Sequence, residues 1–235
     1  EINASPQNAT YYYDPYFNNC ATKLRDISTE LLAEKITLSK DYIKPNETLR
    51  TLMLKEISWN TWGAFGINLL LGNKLDQVAT AEEYLYLPDY IYLAYKNGTI
   101  VVNNKTEDLV KKERNLLDFD EKKQEYSIYN PLFIFSILSF IGIFITYKDI
   151  KNKKRTKALD FLLFFITGAL GIVLIYLCFF SSHFTAVNNF NILWCFGINI
   201  IIAFILLKNY QKKWMQRYIQ FLILLLLLIP ALWIL

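Results

Sequence analysis

From Pro131 onward the sequence carries apolar runs close to the length that crosses a bilayer, and such runs leave the backbone little choice of structure. Hydrocarbon offers no water to N–H and C=O groups, so a helix, which satisfies them within one segment, is the expected form. The runs cover residues 131–147, 158–182, 191–207 and 218–235. They predict a transmembrane domain over residues 129–235 built as a four-helix bundle, with the first and third spans short. The 54% hydrophobic and 16% aromatic content of the 235 residues fits a chain with a membrane part.

Charge divides the chain in the same place. Residues 1–147 hold 15 Lys and Arg against 19 Asp and Glu, whereas residues 148–235 hold 10 against 2. The basic excess therefore belongs to short loops between apolar spans, and no nucleic-acid partner is expected. Lys148, Lys151, Lys153, Lys154, Arg155 and Lys157 join the first two spans; Lys208, Lys212, Lys213 and Arg217 join the last two. Both loops are expected on the cytoplasmic side. The uncharged loop at 181–191 then faces outward, in one compartment with everything before the first span. Asp160 reads as a carboxylate reaching for the interface rather than a proton relay.

Residues 1–128 read as an extracytoplasmic domain. Its one cysteine, Cys20, sits where helical periodicity begins: Leu24, Ile27, Leu31 and Leu32 recur on one face that would pack inward, with Lys23, Arg25, Asp26 and Glu30 elsewhere. In the first turn the unpaired amides and the helix dipole favour a thiolate, with Asn18 or Asn19 as N-cap. A small buried hydrophobe is the other reading of the same cysteine. Downstream, a helix is expected to start at Pro45 and to bury Leu49, Leu52 and Met53. Trp59, Trp62 and Phe65 lead into a helical piece closed by Gly72; they read as core, as a wall for an acyl chain or as a lip on the bilayer. Thr80–Glu83 fits a capping box, Pro88 opens a helix ending at Asn97-Gly98, and a hairpin follows from Thr99. The tyrosines at 84, 86, 90, 92 and 95 read as packing residues near a surface, and the mixed-sign run 111–125 as a solvated connector.

The segments YYYDPYFNNCATKLRD (11–26) and WGAFGINLLLGNKLDQVATAEEYLYLPDYI (62–91), with spans separated by SSHFTAVNNFNILW (181–194), together resemble the Bacteroides-type lipoprotein N-acyltransferase family. Asn19-Cys20 is similar to the motif of permuted papain-like enzymes, which include NlpC/P60 hydrolases and lecithin:retinol acyltransferase relatives. The resemblance implies an α+β permuted papain-like domain, of which residues 1–128 would be the C-terminal portion, followed by transmembrane helices. The protein would be multi-pass in the bacterial inner membrane with its soluble domain in the periplasm. Cys20 would carry an acyl group as a thioester from a phospholipid donor to the N-terminal amine of a diacylated lipoprotein acceptor. Membrane lipids and the N-terminal portion of the same protein are its other expected partners. Asn19, Arg25 and Asp26 match the family motif and would orient the cysteine or its helix.

Such enzymes keep their histidine before the cysteine, and residues 1–19 contain none. The chain is therefore expected to be the C-terminal portion of a longer protein, unless the pairing differs. The single histidine, His183, has three readings: an interfacial polar residue, a lipid-headgroup contact beside Asn188, Asn189 and Asn191, or the general base for Cys20. No cofactor or metal is expected: Cys178 and Cys195 lie in apolar spans away from any cluster of ligand spacing. Two other functions share these residues, a membrane-anchored cysteine hydrolase of the envelope and a non-catalytic scaffold. An apolar groove beginning at Cys20 would favour lipid; a polar cleft would favour hydrolysis.

Overall fold

The computed structural model describes residues 5, 10–117, 127–181, 184–208 and 213–234. In chain order its elements are α1 (Cys20–Leu32), β1 (Ile36–Thr37), α2 (Leu49–Glu56), α3 (Trp62–Leu70), α4 (Ala81–Tyr84), α5 (Pro88–Lys96), β2 (Thr99–Val102), β3 (Lys105–Asp108), α6 (Pro131–Asn152), α7 (Lys157–Phe179), α8 (Asn199–Leu206) and α9 (Lys213–Ile234). They fall into two units, one formed by Glu1–Met53 with Gln77–Lys123, the other by Leu54–Asp76 with Gln124–Leu235.

The first unit is mostly helical, with a small antiparallel sheet in the order β1-β2-β3. The expected hairpin is present, and Asn103 and Asn104 supply the two positive φ values, 50° and 60°, that its tight turn requires. Leu49, Leu52 and Met53 are buried on α2, but that helix begins at Leu49 instead of Pro45. Thr48 and Thr51 cap it reciprocally, each hydroxyl accepting the other's amide at 3.1 and 2.8 Å. The Thr80–Glu83 capping box on α4 is complete. Two of the tyrosines are core residues, not surface packing. Tyr84 is fully buried, its ring lies against Tyr42 and Tyr90, and its hydroxyl both accepts from the Lys44 amide and donates to the Lys44 carbonyl. Tyr86 is buried against Tyr16, with ring centroids 5.0 Å apart.

The apolar stripe of α1 is turned the other way from the sequence expectation. Leu24, Ile27 and Leu31 are 56, 42 and 77% exposed, and the inward face carries Ala21 and Thr22. Small residues let α1 approach its neighbours closely, and Arg25 and Asp26 share that side. Leu24, Ile27 and Leu31 continue the line of Cys20 along the outer face.

Among the described residues of the second unit three helices, α6, α7 and α9, are long and apolar enough to cross a membrane. The expected bundle of four helices is corrected at its third member. Only Asn199–Leu206 of the run 191–207 is α-helix, preceded by single 3₁₀ turns at Phe184–Ala186 and Phe190–Leu193. Asn188, at φ 57°, and the side-chain caps of Asn189 break the regular ladder. The segment nevertheless runs antiparallel beside α7 for its whole length. Cys178 Sγ donates to the Ala186 carbonyl; a Cβ on Gly171 would lie 1.9 Å from the Cys195 carbonyl oxygen, and one on Gly168 2.2 Å from the Ile200 nitrogen. At the far end Arg155 Nη2 donates to the Leu206 carbonyl. Two glycines thus bring irregular backbone against a helix where larger residues would hold it off.

That far end also carries the turn between α6 and α7. Asp149 accepts the Thr156 amide at 2.6 Å and its hydroxyl at 2.9 Å, closing the turn between α6 and α7. Asp160 is paired with Arg155 at 2.5 Å. Asn199, nearly fully buried, donates to Thr167 of α7 and accepts from Tyr218 of α9, so one amide ties three segments together.

Candidate active site around Cys20

The loop before α1 is a tight polar turn. Asp14 Oδ1 accepts the amides of Tyr16 and Phe17 at 2.9 and 3.0 Å, and the backbones of Asp14 and Asn18 exchange two bonds at 3.1 Å. This delivers Asn19, of the two candidates, to the N-cap. Its Oδ1 accepts the Thr22 amide at 2.9 Å, while Thr22 Oγ1 accepts the Asn19 amide at 2.8 Å. The Asn19 side-chain N–H groups donate to the carbonyls of Pro15 and Tyr86, both at 2.9 Å. Every polar atom of this buried side chain is thereby used.

Cys20 is the next residue, exposed at the first helical position. Among the described residues, the amides of Cys20 and Ala21 have no partner, whereas those of Asn19 and Thr22 are taken by the cap. Two free donors at a helix start beside a thiol form an arrangement that can hold an oxyanion.

Cys20 opens on a groove of about 530 Å³ lined by Ala21 and Leu24 of α1, Pro88, Ile91 and Tyr92 of α5, and Val110 of the segment after the hairpin. The lining is overwhelmingly apolar. Polar groups gather at Lys96, Lys112 and Glu113. Lys96 donates to the Tyr92 hydroxyl at 2.8 Å, Tyr92 donates to Glu113 at 2.5 Å, and Lys96 pairs with Glu113 at 3.2 Å. The Tyr92 and then the Lys96 hydrogen bond hold the Glu113 carboxyl below its ordinary range, and the bonds to Tyr92 and Glu113 hold Lys96 above its own. The cluster pins residues 110–113 against α5 and so makes one wall of the groove. Ser28 and Tyr95, hydrogen-bonded through their hydroxyls, join α1 to α5.

Arg25 and Asp26 do not meet Cys20. Arg25 Nε and Nη2 donate to Asp26 Oδ1 at 2.8 and 2.6 Å, and Nη1 donates to the Glu82 carbonyl at 3.1 Å, which fastens α1 to α4. Asn188, Asn189 and Asn191 lie in the second unit. Asn189 Nδ2 donates to the Leu69 carbonyl at 2.9 Å and Asn191 Nδ2 to the same oxygen at 3.1 Å, so both amides serve the C-terminus of α3. Asn188 lends its backbone carbonyl to the Asn73 amide. His183 lies outside the described residues. Sequence reasoning missed Thr22, although Asn19-x-x-Thr22 is a capping pattern, and missed Tyr92, Lys96 and Glu113. The i,i+4 spacing of Tyr92 and Lys96 was the visible part of that cluster.

Comparison with known proteins adds one family. Residues 123–235 match the family model of the Lnb transmembrane domain. No curated protein and no solved structure matches the chain.

Proposed function

We propose that this chain, a membrane protein whose residues 123–235 are similar to the Lnb transmembrane domain, carries out lipoprotein N-acylation through Cys20. The observation that carries this reading is the exposed Cys20 at the start of α1, opening on an apolar groove of about 530 Å³. Such a groove suits an acyl chain; a peptide's polar backbone would leave it unsatisfied hydrogen bonds. This favours acyl transfer over the hydrolase reading. The first unit is then the C-terminal portion of a papain-like domain, on the periplasmic side of the inner membrane.

The reaction balances as two acyl transfers. The Cys20 sulfur attacks an ester carbonyl of a phospholipid, the C–S bond forms, and the ester C–O bond breaks. A histidine of the complete protein takes the thiol proton and returns it to the departing lysophospholipid oxygen. The Cys20 and Ala21 amides hold the tetrahedral oxyanion. The free amine of a diacylated lipoprotein then attacks the thioester; the amide forms, the C–S bond breaks, and a proton lost from the amine restores the thiol. Holding both substrates in one bilayer raises their effective concentration at the thiol without deep binding pockets.

Intact-mass measurement of the complete protein, wild type and Cys20→Ser, after incubation with phospholipid vesicles tests this. A hydroxylamine-labile gain of one fatty acyl chain on the wild type alone is the expected result. A correctly folded wild type that never gains that mass, from phospholipid or from diacylated lipopeptide, overturns it.

A further inference from the structure

The family match begins at residue 123, yet the membrane unit also contains Leu54–Asp76, and this segment holds α3. The helix is attached at both ends to places where spans begin or end. Before its start, Asn60 Oδ1 accepts the Leu132 amide in the first turn of α6 at 3.2 Å. Trp62 Nε1 donates to the Tyr129 carbonyl at 2.8 Å, and the rings of Trp62 and Phe65 lie 5.8 and 5.0 Å from Phe135. At the other end Asn189 and Asn191 hold the Leu69 carbonyl. The Gly72 amide donates to the Thr185 carbonyl at 2.8 Å and that of Asn73 to Asn188 at 3.3 Å. A Cβ on Gly72 would sit 1.9 Å from the Val187 carbonyl oxygen, so only glycine allows this approach. α3, about 13 Å long at 1.5 Å per residue, therefore bridges the start of α6 and the segment that follows α7.

Its composition is inconsistent with a helix standing in water. Of WGAFGINLL only Asn68 is polar, and its amide is engaged with the Ala64 carbonyl at 2.9 Å. Yet Trp62 is 49% exposed, Leu70 36%, and Trp59 just before the helix 66%. Ala64 is buried and residues 65–69 are half-buried, so protein covers one side of α3 and leaves Trp62, Gly63 and Leu70 exposed. An apolar helix without a polar face, fastened where spans end, has the bilayer as the natural cover for the other side. Tryptophan near the ends of spans has its favoured place between headgroups and acyl chains.

We propose that α3 is an in-plane membrane helix, with Trp59 and Trp62 seated at the boundary between headgroups and acyl chains. It is a lipid contact separate from the spans and independent of the chemistry at Cys20.

The test uses the full chain in phosphatidylcholine vesicles whose acyl chains carry bromine near the headgroup or near the bilayer centre. Tryptophan emission of the wild type minus that of Trp59→Phe/Trp62→Phe isolates the two indoles. Phenylalanine at 62 keeps a ring against Phe65 and Phe135 and gives up the bond to Tyr129, and melting of the double variant in detergent checks that its fold is kept. The expected difference signal falls at least two-fold with the shallow bromines, less with the deep ones, and resists acrylamide added to the water. A signal quenched by acrylamide and indifferent to both lipids puts α3 in water and overturns the proposal; stronger quenching by the deep bromines overturns the in-plane placement. As a second variant, Asn189→Ala loses one anchor at Leu69 and should lower the shallow quenching.

Discussion

Asn19 and Thr22 each accept the other's backbone amide, at 2.9 and 2.8 Å, so the turn that presents Cys20 is closed by two side chains on the buried side of α1. Asn19→Ala removes the cap together with the bonds that Asn19 donates to the Pro15 and Tyr86 carbonyls. A loss of about 2 kcal/mol or more is expected, and Thr22→Val should cost about 1 kcal/mol. The two losses should not add, because both variants break the same closure. Thermal unfolding of the two single variants and the double variant in detergent measures this; additive losses would show the caps to be independent.

Alkali should weaken the first unit through Tyr16. Burial pushes its phenol up to about 12, against a smaller lowering by Arg50 and a smaller raising by Asp14. The fold holds the neutral phenol more tightly than the unfolded chain does. The contribution is complete below pH 10 and is lost as pH rises from there through about 12. It amounts to about 2–3 kcal/mol, at 1.36 kcal/mol per unit. Tyr16→Phe should flatten that part of the stability profile, as followed by unfolding between pH 9 and 12.5. A slope unchanged by the substitution would assign the alkaline loss to other groups.

Within the membrane unit, two glycines should respond in opposite ways. At Gly171 a Cβ meets the Cys195 carbonyl oxygen at 1.9 Å, whereas at Gly142 of α6 nothing lies within 4 Å. Gly171→Val should lower stability in detergent by about 3 kcal/mol, and Gly142→Ala should leave it unchanged or slightly higher. Equal melting temperatures for the two variants would contradict the close approach of the 195–200 backbone to α7.

The groove makes its own prediction about the proposed acyl-enzyme. Leu24 is 56% exposed and lines the groove beside Cys20, so Leu24→Glu should barely change unfolding. A carboxylate there opposes an acyl chain, and the yield of acylated Cys20 should drop about ten-fold or more. Intact mass and melting on the same sample separate the two effects, and full acylation of the variant would place the acyl chain elsewhere.

What could be read from the sequence depended on how locally each feature is determined. The capping box at Thr80–Glu83, the Asn103-Asn104 turn and the buried face of α2 depend on neighbours within a few residues, and all three are present. The long spans follow from solvent alone. The face of α1 was misjudged because periodicity gives the stripe but not its direction, which is set by Ala21, Thr22 and the Arg25 bond to Glu82, 57 residues away. The third span escaped for the opposite reason: its hydropathy is high, but Asn188 and Asn189 break the helix just before it, and α7 supports it only because Gly168 and Gly171 leave room. The groove could not be read at all, since Cys20, Pro88 and Glu113 become neighbours only in the fold.

The anchoring of α3 also dictates an order of events during synthesis. Leu69 is bonded to Asn191, which leaves the ribosome 122 residues later. At about 5–20 residues per second, α3 waits for roughly 6–24 s before its C-terminal partner exists, while its start can meet Tyr129 about halfway through that interval. For the first half of that time an almost wholly apolar nine-residue segment lacks both of its anchors in the membrane unit, and for the second half it holds only the one at its start. The membrane unit is thus completed backwards, its earliest helix among the last to be locked, and on the placement proposed for α3 the bilayer is what shelters Trp59–Leu70 until then.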